Sequence, residues 1–143
     1  MKISVITTAY NSAATLRDTF ESMLRQTFKD IEYLSDGTVD IIRTYEPRFN
    51  GRMRWISEPD NGLYDAMNKG IAMATGEVVG FLNSDDFYTS DDVLATVAET
   101  LGRTGADAVY GDVHYVKPDD LDRTVRYYSS QRFSRGWMIL GFM

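Results

Sequence analysis

What most narrows the fold of this chain is a rhythm. Short β-branched and apolar runs alternate four times with segments of helical period. Lys2–Thr8 predicts a first strand, and Ser12 is placed to cap a helix whose apolar face is Leu16, Phe20, Met23 and Leu24. Asp30–Leu34 opens a second strand that the turn-forming residues Ser35–Thr38 cut short. Val39, Ile42 and Tyr45 mark a short helix ended by Pro47, and Met53–Ser57 reads as a third strand. After the loop Glu58–Gly62 comes a helix with Leu63, Ala66, Met67, Gly70, Ile71 and Ala74 on one face. Val78–Leu82 then reads as a central strand buried on both faces. Ser90–Asp92 starts a helix carrying Leu94, Val97, Ala98 and Leu101, stopped by Gly102. Ala108–Val116 and Thr124–Tyr128 form a closing hairpin around the turn Lys117–Asp120. Such alternation predicts an α/β fold: an open, mostly parallel twisted sheet with helices on both faces.

Composition bounds the function. A chain of 143 residues, 43% hydrophobic, supports one domain or one lobe of a larger protein and argues against disorder. No apolar run reaches membrane-spanning length and no signal peptide is visible, so the expected location is cytoplasmic, with peripheral attachment at the inner membrane face compatible. The absence of cysteine removes disulfides, thiolate metal sites and a cysteine nucleophile. A net charge of −6 argues against a nucleic-acid partner, so an anionic ligand would call for a mediating metal ion.

Two stretches carry chemistry. The strand Val78–Leu82 runs into Asn83-Ser84-Asp85-Asp86, and ligands of open α/β sheets bind at the carboxyl ends of strands. Adjacent carboxylates repel, and a hard divalent cation such as Mg²⁺ or Mn²⁺ relieves the repulsion. The competing reading is a plain turn, or a local helix cap by Asp86. At the first strand's exit, Thr7-Thr8-Ala9-Tyr10-Asn11 offers hydroxyls and an amide at the same rim, or else an ordinary polar loop. In the helix after Gly62, Tyr64, Asn68 and Ile71 share one side, and Asp65 with Lys69 forms an i,i+4 surface pair. Asn68 is unfavourable inside a helix, which suggests a hydrogen-bonding role.

Taken together, Ile3–Asn11, Glu58–Gly70, Ala74–Glu77 and Phe81–Asp86 resemble the family 2 glycosyltransferases, in register from Met1 to about Tyr128. The resemblance implies the GT-A (Rossmann-like) fold and inverting transfer from a nucleotide-diphosphate sugar, UDP first with GDP or dTDP as alternatives. It implies a saccharide or lipid-linked acceptor, as in polysaccharide biosynthesis at the bacterial cell surface. By the same resemblance Thr8, Tyr10 and Asn11 lie against the nucleoside. Asn61, Gly62, Asn68, Asn83 and Asp85 join the nucleotide-sugar contacts. Asp85 and Asp86 occupy the DxD-type position that holds ribose and, through Mn²⁺ or Mg²⁺, the diphosphate; Asn83 stands where many relatives carry that motif's first aspartate.

Two departures from the family pattern follow. Relatives carry a longer second strand ending in an acid that contacts the base, whereas here Leu34 runs directly into Ser35-Asp36-Gly37-Thr38. Either a deletion or residues missing from this sequence would account for it, and Asp36, matching a later aspartate of the pattern, is a candidate nucleotide contact. The family's general base lies in a segment beyond Met143, so no residue is assigned that role. Residues 1–128 are expected to form the nucleotide-sugar-binding core, and 129–143 to open an acceptor-side region that continues further. Asp112 is an acceptor-side candidate against a structural alternative. His114 reads as a strand residue satisfied by neighbours, and Trp137, Met138 and Phe142 as an apolar tail that packs elsewhere. The rival functions are a nucleotide-sugar-binding lobe without activity and a receiver-like signalling domain; the latter needs acids at the end of strand one, where this chain has none.

Overall fold

The computed structural model describes residues 1–36 and 39–132. It divides into two compact units, Met1–Arg103 and Thr104–Met143. The first holds a parallel four-stranded sheet in the order β3-β2-β1-β4, built from β1 (Ile3–Thr8), β2 (Ile31–Asp36), β3 (Met53–Ile56) and β4 (Val78–Phe81). Its helices are α1 (Leu16–Arg25), α2 (Val39–Tyr45), α3 (Leu63–Met73) and α4 (Val93–Thr104), with a 3₁₀ turn at Glu46–Phe49.

Side chains alternate across each strand, so one sheet face carries Ile3, Val5, Ile31, Tyr33 and Met53. Leu16, Phe20 and Met23 of α1, Ile41, Ile42 and Tyr45 of α2, Phe49 and Leu94 of α4 close over that face. Phe20 meets Tyr33 edge-on at 5.6 Å, and Tyr33 stacks on Phe49 at 5.2 Å. On the opposite face α3 lies against β1 and β2 with Ala66 and Gly70 buried. A Cβ at Gly70 would come within 2.5 Å of Ile6 Cγ2, so glycine is what permits that approach.

The amino ends of the strands are tied by a buried carboxylate. Glu32, whose side chain is 7% exposed, accepts hydrogen bonds from Lys2 Nζ and Arg54 at 3.1 Å each, from Thr75 Oγ1 at 2.8 Å and from Gly76 N–H at 3.2 Å. Ser4 Oγ and Thr75 N–H donate to it as well. Burial pushes its pKa up, but the bonds from Ser4, Thr75 and Lys2 outweigh burial and hold it well below the usual carboxylate range.

Several expectations need correction. β2 is not cut short: Ser35 and Asp36 continue it, and it pairs with β1 from Ile3↔Ile31 to Thr8↔Asp36. The ladder to β1 outweighs the turn preference of those residues, and buried Ser35 Oγ is left without a hydrogen-bond partner among the described residues. β4 is an edge strand among the described residues, not a central one buried on both faces. Val79 and Phe81, paired with Ser4 and Ile6 and so on the α3 side, are 40% and 45% exposed, because α3 covers β1 and β2 instead. Of the apolar face expected on α3, Leu63 and Ile71 are exposed, while Ala66 and Gly70 are buried against the sheet. Ser12 does not cap α1 through its side chain; Thr15 occupies the N-cap. Gly102 lies inside α4, a position that lowers helix propensity without ending the helix.

In the second unit β5 (Val113–Lys117) and β6 (Asp120–Tyr128) form an antiparallel hairpin. The strand expected from Ala108 begins only at Val113, which leaves Asp112 just before it. Trp137, Met138 and Phe142 lie outside the described residues.

Candidate functional site

In the order β3-β2-β1-β4 the chain steps outward from β1 through β2 to β3, then crosses back to place β4 on the other side of β1. The carboxyl ends of β1 and β4 therefore diverge at a reversal of strand order, where open α/β sheets form their binding crevice. The β1 exit turns sharply because Asn11 adopts a left-handed φ of 52°, which asparagine tolerates. Tyr10 is 90% exposed beside it.

The β4 exit is a tight turn, closed by Asp86 N–H on the Asn83 carbonyl at 3.0 Å. The plain-turn geometry and the acidic corner thus coexist in the same four positions, Asn83 to Asp86. Asn83 Nδ2 donates to Asp86 Oδ2 at 3.0 Å. Partial burial, and to a lesser degree the Asp85 charge, push the Asp86 pKa up against the pull of that amide bond.

Hydroxyl groups fasten the two exits together. Tyr33 OH donates to Thr7 Oγ1 at 2.7 Å, and Thr7 Oγ1 donates to the Leu82 carbonyl at 2.6 Å. Ser12 Oγ and Ser84 Oγ lie 2.7 Å apart. Thr15 Oγ1 donates to the Ser84 carbonyl and Thr19 Oγ1 to the Asp86 carbonyl, each at 2.8 Å. Further along α1, Ser22 Oγ accepts from Tyr88 N–H at 3.2 Å, while buried Gln26 donates to the Ser90 carbonyl at 2.8 Å and accepts from Leu94 N–H at 3.0 Å. Thr15, Thr19, Ser22 and Gln26 thus form a polar stripe with helical spacing that follows the main chain from Ser84 to Leu94. The sequence reading passed over this stripe, whose signal is polar residues one position before the apolar ones at Leu16, Phe20 and Met23.

The other candidates are less closely gathered. The backbone of Asp36 pairs with Thr8 at the same carboxyl rim, while its side chain lies outside the described residues. Asn61 and Gly62 lead from β3 into α3, with Gly62 at the N-cap and a φ of 108° that favours glycine. Lys69 braces that loop: its ammonium meets Asp60 at 2.5 Å, Glu58 at 3.0 Å, Asp65 at 3.4 Å and the Pro59 carbonyl at 2.9 Å. Asp65 in turn accepts from Asn61 N–H at 3.0 Å. The expected Asp65–Lys69 surface pair is therefore one edge of a larger cluster. Asn68 is exposed along α3, as is Tyr64. Within the second unit, Asp112 accepts from Tyr127 OH and, at 2.7 Å, from Ser130 N–H, which depress its pKa to about 2. His114 Nδ1 is 3.1 Å from Thr124 Oγ1 and its ring packs edge-on against Tyr127.

Comparison with known proteins places this geometry. Residues 4–141 match the model of glycosyl transferase family 2. The chain belongs to that family. A PGL/p-HBAD biosynthesis glycosyltransferase of Mycobacterium bovis is 38% identical over 117 residues, covering 77% of this chain and 46% of the relative. An uncharacterized glycosyltransferase of Nostoc sp. is 33% identical over 138 residues, covering 92% of this chain and 42% of the relative. The crystal structure of Staphylococcus aureus TarS 1–349 in complex with UDP-GlcNAc superposes with a TM-score of 0.68 at 26% identity, over 75% of this chain and 33% of TarS 1–349. The fold is that of the GT-A glycosyltransferases. This family 2 chain spans less than half the length of these curated relatives, and membership sets aside the receiver-like alternative.

Proposed function

We propose that this chain supplies the nucleotide-sugar-binding portion of an inverting glycosyltransferase that moves a sugar from a nucleotide diphosphate to an acceptor hydroxyl. The observation that carries the reading is the Ser12–Ser84 contact at 2.7 Å, which seats the β1 exit against the acidic turn at the reversal of strand order. In this reading Thr8, Tyr10 and Asn11 hold the nucleoside, with Asp36, paired with Thr8 on the neighbouring strand, a further nucleotide contact. Asn61, Gly62 and Asn68 border the donor from the α3 side. Residues 1–128 act as the donor core and 129–143 begin the acceptor side, with Asp112 an acceptor contact. UDP is the favoured nucleotide, since TarS was crystallised with UDP-GlcNAc, and the acceptor is a saccharide or a lipid-linked saccharide. A cytoplasmic enzyme working at the inner membrane face suits such substrates; no helix among the described residues is long and apolar enough to cross a membrane.

The acidic turn fits a divalent ion of a particular kind. Among the described residues no cluster of three or more acidic or histidine groups forms an all-protein cage. Asp85 and Asp86 supply two carboxylates at an exposed turn, the donor set of Mg²⁺ or Mn²⁺ sites completed by substrate phosphates. When bound there, the ion would neutralise charge gathering on the departing diphosphate. The chain's own part is to hold the paired charges in place: Asn83 orients Asp86, and the α1 hydroxyls fix the backbone on either side of Asp85.

The test is calorimetric titration of UDP, GDP and dTDP, each with Mn²⁺ and with EDTA. UDP should bind more tightly with Mn²⁺, and Asp85→Asn and Asp86→Asn should each abolish that gain while leaving the apo protein folded. Asp86→Asn should even raise apo stability at neutral pH, because the amide removes the cost of holding a charge in a partly buried site and, to a lesser degree, the repulsion from Asp85. Metal-independent binding of all three nucleotides, or none, would defeat the reading.

A further inference from the structure

The acidic turn follows β4, a strand of four residues hydrogen-bonded only to β1 among the described residues. Such an attachment is weak for a turn whose two carboxylates must keep a fixed separation. What restrains the turn comes from α1. Thr15 and Thr19, one helical turn apart, donate at 2.8 Å to the carbonyls of Ser84 and Asp86, the residues that bracket Asp85. Thr15 stands at the N-cap of α1, where a threonine hydroxyl ordinarily accepts from the helix's own N–H groups, yet no such bond forms and the hydroxyl is turned to Ser84 instead. Thr19 is fully buried, so its hydroxyl has no solvent to turn to and the Asp86 carbonyl is its acceptor. Among the described residues the side chain of Asp86 is bonded to Asn83, and that of Asp85 is exposed. The threonines thus grip the main chain of the turn and leave its carboxylates available.

We infer that Thr19, with Thr15, is a positioning residue for the acidic pair: the hydroxyls of α1 set the spacing at which Asp85 and Asp86 meet the metal–diphosphate. The inference rests on the proposed metal role of that pair. It separates Thr19 and Thr15 from Ser22 and Gln26, which hold the same segment beyond the acids at Tyr88, Ser90 and Leu94.

The experiment compares Thr19→Val, Thr19→Ser and Ser22→Ala with the wild-type chain, by titrating UDP with Mn²⁺ and with EDTA, titrating uridine alone, and recording melting temperatures. Thr19→Val preserves shape but removes the donor. It should lower the Mn²⁺-dependent gain in UDP affinity by about tenfold or more, the size seen when groups that orient metal ligands are lost. Uridine affinity should not change, and Thr19→Ser should restore the gain. Ser22→Ala should lower the melting temperature and keep the gain. A Thr19→Val chain with an undiminished gain overturns the inference alone. So does a Ser22→Ala chain that loses as much as Thr19→Val, since that would mark general loosening. A wild-type chain with no gain from Mn²⁺ overturns the metal reading, and the inference falls with it.

Discussion

Replacing Glu32 by glutamine tests whether the amino ends of the strands are held by charge or merely by shape. One carboxylate oxygen takes Ser4 Oγ and the Thr75 and Gly76 N–H groups; the other takes Lys2, Arg54 and Thr75 Oγ1. A glutamine can keep its carbonyl on the first set, but its NH₂ then faces two cations and a hydroxyl. The loss is two charge-assisted hydrogen bonds, ordinarily about 1.5–3 kcal/mol each. Lys2 and Arg54 are half-exposed and recover part of that from water, so Glu32→Gln should cost about 2–4 kcal/mol at neutral pH. The pH dependence has a definite sign. The folded carboxyl titrates below its unfolded value of 4.5, so its contribution is complete above that pH and drains away as pH falls toward the depressed folded pKa. Urea unfolding of both chains between pH 7 and pH 3 measures the difference, which should be largest at the upper end and shrink below about pH 4.5. A difference near zero at pH 7, or one that stays constant as the pH falls, would refute the account.

The remaining predictions concern packing. Ser35→Ala removes a buried hydroxyl with no partner among the described residues and should raise stability by about 1 kcal/mol in urea unfolding. Gly70→Ala drives a methyl group toward Ile6 Cγ2 and should lower stability by about 1–3 kcal/mol, measured the same way; in an Ile6→Ala background, where the γ carbons it meets are gone, the same change should cost less.

The order of elements and the meeting of the β1 and β4 exits were legible because they depend on coarse signals. Hydrophobic period distinguishes strand from helix, and the polar residues at Thr8–Asn11 and Asn83–Asp86 fall where each apolar run stops. The errors arose where a local preference met a stronger tertiary demand. Ser35 and Asp36 carry turn chemistry, yet lie in β2 because β1 offers their backbone a ladder. Val78–Phe81 is apolar enough for a fully buried strand, but burial depends on neighbours that a local run does not reveal, and α3 leaves Val79 and Phe81 uncovered. Thr19, Ser22 and Gln26 resemble neutral helix residues in sequence; only the path of residues 84–94 gives each hydroxyl or amide its partner. In the sequence Lys69 shows as half of one i,i+4 pair, because its further partners, Glu58 and Asp60, precede α3 in the connecting loop.

The placement of β4 also bears on the order in which the molecule assembles. β1, α1 and β2 are consecutive and can dock early, whereas Thr7 and Leu82, joined across β1 and β4, are 75 positions apart. Closing so long a loop makes β4 a late arrival, and a short strand bonded on one side is an early departure when the native state breathes. The β1 and β4 exits are therefore brought together at the final stage of folding, and amide exchange at Val78–Asp86 should be faster than at Ile3–Thr8. A nucleotide that bridges the two exits would slow that exchange by fastening the last piece to the first.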